Sequence, residues 1–241
     1  MIALLRAECR KLLTVRSTYI ITVIALLLVA FLSFYIEGYK GMMPLPEWLT
    51  YLMNNVSTTI SIFVAIMAIL LIGHEYRYNT ITYTLAAANS RTKVLLAKIC
   101  TVATFALVLT VIAWGLAFAA YWCGVQLSPN QLQQWVTPQL EWEAVWRGAF
   151  FVVSFGLLGL VLGFLFRHLV GSIAALFILP TVEGILSPLL KENVKYLPFS
   201  LLEQVHIGVS WKPFTAACLF AAYLGTLWLV AWYLFIRRDA N

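Results

Sequence analysis

The sequence predicts an all-α integral membrane protein, and three observations carry that prediction. Of the 241 residues, 62% are hydrophobic and only 11% are charged; soluble domains average about 45–50% and about 25%, so a soluble fold would lack the polar surface to cover itself. The apolar residues fall in long continuous runs, and lipid admits only helices or closed barrels; without strict alternation a barrel is rejected. The 16 Lys and Arg exceed the 10 Asp and Glu, and they gather unevenly in the gaps between the runs.

The chain opens with MIALLRAECRKLLTVR. At helical spacing Ile2, Leu5, Cys9, Leu12 and Leu13 share one arc, with Arg6, Arg10 and Lys11 beside or opposite it. The pattern predicts an amphipathic helix over residues 1–16, lying in the interface with its basic face toward anionic headgroups. A signal peptide is the rival reading. It requires an apolar region of about 7–15 residues and a small-residue cleavage site; the run at 17–36 is longer and no A-x-A follows it.

Six spans are predicted, at 17–36, 56–73, 99–123, 144–166, 169–189 and 213–236, making one transmembrane domain over 17–236 with a short tail at 237–241. The fourth and fifth are parted only by Arg167 and His168, a pair too polar for the membrane centre, which reads as a tight turn. The fifth is the least regular, interrupted by Pro180, Glu183, Gly184 and Pro188. Eleven of the sixteen Lys and Arg fall on the side of both termini, so the positive-inside rule makes the termini cytoplasmic. Trp48, Trp122, Trp135, Trp142, Trp146 and Trp211 cluster near the opposite boundary, where amphipathic indoles sit. The four cysteines stand singly, with no CxxC pair, and read as small packing residues.

The stretch GHEYRYNTITYTLAAANSRTKVLLAK, residues 73–98, breaks two greasy runs with charge and hydroxyls. Thr80 is placed to cap a short helix whose Ile81, Leu85 and Ala88 form a narrow apolar stripe. Asn89 and Ser90 break it, and Ser90 is placed to cap a further helix through Lys93 and Lys98. A stub of this kind suits docking in a groove of another protein and passing a push to two spans at once.

These residues resemble the signature of type-2 ABC-transporter permeases, which typically reads Glu-Tyr-Arg, then Gly-Thr, then Ser-Arg and a Lys. Glu75, Tyr76, Arg77, Thr80, Ser90, Arg91 and Lys98 occupy those positions, and Asn79 replaces the usual Gly. The order of elements is similar too: an amphipathic N-terminal helix, six spans, a coupling segment at 74–98 and a re-entrant outer segment at about 183–212. The resemblance implies a permease subunit of a bacterial exporter in the inner (plasma) membrane. Two copies would pair as a homodimer, and two separate ATP-binding subunits would dock beneath them on the coupling residues Glu75, Arg77, Thr80, Ile81, Leu85, Ser90, Arg91 and Lys98. ATP and Mg would be held by that partner. The chain has no G-x-x-x-x-G-K-[ST] loop, so no ATPase activity and no cofactor of its own are expected.

Glu183 lies about 21 Å into the fifth span, measured from the 167–168 turn at about 1.5 Å per residue, in a core of about 30 Å. Two readings stand open. The carboxylate serves an outer gate, or the turn of a re-entrant hairpin lining the pathway; or Pro180 and Pro188 end the span early and leave it a capping acid in shallow water. Gly156, Gly159 and Gly163 share a face, a small-residue surface for helix packing, within the chain or at a dimer seam. His74, His168 and His206 are too scattered for a metal site, and no H-E-x-x-H or G-x-S-x-G occurs. The alternative function is a self-contained secondary transporter or channel, which calls for several facing intramembrane charges. A membrane-embedded enzyme, the third class, calls for paired acids, a Ser–His set or metal ligands at one depth. The substrate is unspecified; a pathway lined by Phe, Leu, Trp and Ala suits an apolar or amphipathic cargo.

Overall fold

In the computed structural model, residues 2–41, 47–88, 90–128, 141–208 and 212–237 are described, and every element among them is helical. In order these are α1 (Ile2–Thr14), α2 (Arg16–Phe31) running on as a π-helical stretch (Leu32–Tyr39), α3 (Trp48–Arg77), α4 (Ile81–Ala88), α5 (Arg91–Leu127), α6 (Trp142–Phe166), α7 (Leu169–Leu190) with a 3-10 turn (Lys191–Tyr196), α8 (Pro198–Ile207) and α9 (Pro213–Arg237). Six segments are long and apolar enough to cross a bilayer: α2 with its extension, α3, α5, α6, α7 and α9. α1 and α4 lie at one end of the bundle and α8 at the other.

The central pair is α3 and α6, which pack over more of their surfaces than any other two helices, with α5 against both. Small residues on α6 make this possible. A Cβ on Gly159 would collide with the carbonyl oxygen of Ala65, one on Gly156 would come within 2.8 Å of Val64, and one on Gly163 within 3.2 Å of Ile72. The glycine face therefore zips α6 onto α3 of the same chain, where dispersion contacts replace the absent hydrophobic drive. α2, α7 and α9 are peripheral, each burying only 17% of its most apolar window.

The helices run past the edges that hydropathy sets. α3 begins at Trp48, and Trp48 is only 1% exposed, stacked on Tyr121 with centroids 4.5 Å apart. It packs into the core at the start of α3, whereas Trp142 is 75% exposed. Trp135 and Trp211 lie outside the described residues. The first span continues to Tyr39 as a π-helix because Gly38 lets the backbone meet α5: a Cβ there would sit 2.6 Å from the Tyr121 carbonyl oxygen.

The fifth span differs from its expected irregularity. α7 is continuous through Pro180 and Pro188, so the prolines do not end it at Glu183. Pro188 removes the N–H that Gly184 O would accept, and the Ser187 hydroxyl donates to that carbonyl instead at 2.8 Å. The turn before α7 is as tight as its sequence implies. Arg167 closes α6 in the left-handed region at φ 53°, and His168 opens α7, its Nδ1 accepting from Gly171 N at 3.3 Å.

Candidate functional site

At the α1/α4 end, α3 stops at Arg77 and the chain reverses through Tyr78, Asn79 and Thr80. Asn79 has φ 54°, a conformation easiest for Gly and next for Asn, so the substitution in the signature keeps the turn. Thr80 N donates to Glu75 O at 3.0 Å and the Thr82 hydroxyl donates to Asn79 O at 2.9 Å. α4 then lies across the bundle end. Ile81, 1% exposed, packs into a cluster with Leu12, Leu71, Ile72 and Leu95, and half-buried Leu85 joins it. The opposite face is open: Tyr83 is 77% exposed and Tyr78 65%, with Arg77, Thr80 and Thr82 also exposed.

Beneath α4 lies a cluster of four charges. Lys98 Nζ donates to Glu8 Oε2 and to Glu75 Oε1, both at 2.7 Å; Lys11 Nζ donates to Glu8 Oε1 at 2.7 Å and to Glu75 Oε1 at 2.6 Å. Lys11 also reaches the Thr84 hydroxyl of α4 at 3.3 Å. Glu8 and Lys98 are fully buried, Glu75 nearly so, and Lys11 half-buried. Two positive and two negative charges cancel, and each partner offsets the desolvation of the other. Burial alone would raise the Glu8 carboxyl, but Lys98 and Lys11 outweigh it and hold it below the usual carboxylate range. Burial likewise pulls Lys11 down, and Glu75 and Glu8 raise it on balance above the usual ammonium value. The result is a neutral knot joining α1, α3, α4 and α5.

Two further ties complete this end. Arg91, the first residue of α5, donates to the Phe235 and Ile236 carbonyls at 2.8 and 3.0 Å, in the last turn of α9. The Arg167 guanidinium sits 5.2 Å from the ring centroid of Tyr76, fixing the α6–α7 turn to the end of α3. These ties connect the α4 junction to the ends of α3, α5, α6, α7 and α9. What kind of protein carries such a junction is decided by comparison with known families: residues 4–183 match the model described as ABC-2 family transporter protein.

The chain belongs to the ABC-2 transporter membrane family. It is a multi-pass permease subunit of an ABC transporter. No curated protein matches it. The family match ends at Glu183, leaving α8 and α9 outside it.

Of the permease's expected coupling residues, Arg77 and Thr80 face outward, whereas Glu75 and Lys98 are buried in the knot. Ile81 and Leu85 face the bundle. Ser90 stands at the N-cap position of α5 with extended backbone, yet its side chain makes no capping bond, which departs from the expected cap; Arg91 spans to α9 instead. Thr80 O, rather than the Thr80 side chain, takes up the first amide of α4 that bonds back, Thr84 N, at 3.2 Å. The side chain of Ala88, and Asn89, lie outside the described residues.

α1 is rotated from its expected apolar arc. Glu8 and Leu12 face inward while Leu13 is 58% exposed, because pairing with Lys98 and Glu75 turns the Glu8–Lys11–Leu12 stripe toward the bundle. Sequence reasoning passed over Glu8 and counted Lys11 only as a basic-face residue. A signal existed: Glu8 is the one acid in residues 1–36, three residues before a Lys, the spacing of neighbours on a helix.

At the α8 end, Glu183 accepts from Phe199 N at 2.9 Å and Ser200 N at 2.5 Å. Leu197 and Pro198 open α8 without a side-chain cap of their own, so a carboxylate from α7 takes over two of its orphan amides. Glu37, unremarked in the sequence, is 4% exposed in the π-helical stretch and accepts from Asn55 Nδ2 at 2.9 Å. His206, far from a boundary residue, is 5% exposed, stacked on Phe151 at 4.1 Å, with Nε2 2.9 Å from the Thr58 hydroxyl.

Proposed function

We propose that this permease couples ATP hydrolysis on a separate ATP-binding subunit to export across the cell membrane, and that the outward face of α4 is where that subunit grips it. The supporting observation is the pairing of an open Tyr78–Thr82–Tyr83 surface with a charge-neutral knot directly behind it. A push on α4 is not dissipated in a mobile loop; it reaches α3, α5 and α1 through short ion pairs and α9 through Arg91. Glu75, Lys98 and Ile81 act as the internal seat of the lever, and Arg77, Thr80 and Tyr83 as its contact face. The assembly is two permease copies, a homodimer, over two ATP-binding subunits that hold ATP and Mg. Both termini and α4 are cytoplasmic, and the cargo, apolar or amphipathic, passes between the copies.

The test is reconstitution with an ATP-binding subunit that co-purifies with the permease. Arg91→Ala is expected to retain complex assembly, and both it and Glu75→Ala, which strands two ammonium groups, to lose permease-stimulated ATP hydrolysis and transport together. Undiminished turnover in both variants contradicts the coupling role, and transport driven by an ion gradient without the ATP-binding subunit overturns the function.

A further inference from the structure

A cavity of about 290 Å³ opens beside the ion knot, between the α1–α2 elbow and the end of α3. Leu12, Val15, Leu70 and Leu71 wall most of it; Ser17, His74 and Glu75 line it as well, with Lys11, whose ammonium is already engaged by Glu8 and Glu75, and Tyr78 and Thr80 at the rim. Glu75 is 4% exposed, and while its Oε1 accepts from both lysines, its Oε2 is buried and accepts from nothing. Ser17 Oγ is likewise buried and unpartnered. Two orphaned oxygens lining one apolar cavity call for a donor, since a buried acceptor left unsatisfied costs about 1–3 kcal/mol.

The surroundings say what kind of molecule carries it. From Ser17 the same face of α2 continues through Ile20, Ile24 and Phe31, at helical spacing and 59, 50 and 57% exposed. This apolar track leads from the cavity along a membrane-spanning helix. An occupant that satisfies both features has a donor at its head and a hydrocarbon chain behind it. The knot is electrically neutral, so a headgroup carrying its own compensating charge fits better than a net anion beside the Glu75 carboxylate, and a charge-assisted N–H is the strongest partner for that oxygen.

We propose that this cavity is a binding site for a zwitterionic phospholipid with a primary ammonium headgroup, a phosphatidylethanolamine. The ammonium donates to Glu75 Oε2, with Ser17 Oγ beside it, and an acyl chain lies along Ile20, Ile24 and Phe31. The site stands on the permease chain alone; Tyr78 and Thr80 of the proposed contact surface lie at its rim, so the permease is tested without the ATP-binding subunit.

The delipidated permease is reconstituted in nanodiscs of phosphatidylcholine, whose headgroup has no N–H, with phosphatidylethanolamine or phosphatidylglycerol replacing part of it. Unfolding midpoints and native mass spectra are then recorded. Phosphatidylethanolamine is expected to raise the midpoint by a few degrees over phosphatidylcholine and to remain bound in the spectrum. Leu70→Trp, which fills the cavity, is expected to abolish the difference. Should Leu70→Trp fail to fold, the wild-type spectra decide by themselves. Equal retention and equal midpoints for the two zwitterionic lipids mean the cavity holds water only and overturn the proposal. So does a phosphatidylglycerol effect as large as that of phosphatidylethanolamine, or full reproduction of the shift by free ethanolamine.

Discussion

The two ends of the bundle solve the same problem differently. Each buries carboxylates, Glu8 and Glu75 at the α4 end, Glu37 and Glu183 at the α8 end. At the α4 end they meet lysines in a closed four-member knot; at the α8 end they meet neutral donors, the Asn55 amide and the backbone amides of α8. Ion pairs in low dielectric are stiff, and breaking one leaves an uncompensated charge. Amide donors hold position with less at stake. The α4 end is thus built to keep several helices in register, and the α8 end to hold a short helix in place.

The largest effect that follows is at the knot. Glu8→Ala or Lys98→Ala is expected to destabilise the permease by roughly 3–5 kcal/mol, because each strands a buried charge, read as a lowered unfolding midpoint in detergent. Changing the pair together to methionines is expected to recover most of that loss. If the double variant is as unstable as the sum of the singles, the knot is not what joins these helices.

A smaller effect is expected at the other end. Glu183→Gln leaves one acceptor oxygen and no charge at the start of α8, costing about 1 kcal/mol, as loss of an N-cap does. Proteolysis within 197–208 should accelerate while the α4 end stays intact. Faster cleavage around α4 instead would mean the two ends are not mechanically separate.

The pH response sharpens the contrast further. Glu8 titrates below the ordinary carboxylate value in the folded chain, so its contribution is present above that value and lost as pH falls through the lowered one. Lys11 titrates above the ordinary ammonium value, so its contribution is complete below that value and lost as pH rises through the raised one. Stability is therefore expected to be flat across neutral pH with an acid and an alkaline edge; the methionine double variant loses the acid edge, while the alkaline edge, set chiefly by Glu75 on Lys11, is largely kept. An unchanged profile in that variant would move the acid edge to other groups.

Hydropathy and charge asymmetry made the six spans and the family signature legible, because a lipid solvent leaves little freedom in which runs become helices. Partnering was less legible. The signature drew attention to Glu75 and Lys98 as coupling residues; that they face each other, with Glu8 and Lys11 completing the knot, depends on how α1 rolls against α5, which no local pattern in α1 specifies. The expected arc in α1 followed its leucines, and a single buried carboxylate outweighed Leu13. Pro180 and Pro188 misled in the opposite sense: in α7 they are carried inside a continuous helix, with Ser187 serving the carbonyl that Pro188 abandons. The packing face of α6 was readable from glycine spacing, since only small side chains permit close approach; that α3 of the same chain fills it, rather than a second copy, was not.

Whether α4 faces an ATP-driven partner is read out by a photo-cross-linking residue in place of Tyr83 in the assembled, transporting complex. The result predicted is an adduct with the ATP-binding subunit whose yield changes when ATP is added. An intact, active complex giving no such adduct, with position 83 labelled by a membrane-impermeant reagent applied from outside the cell, would contradict it.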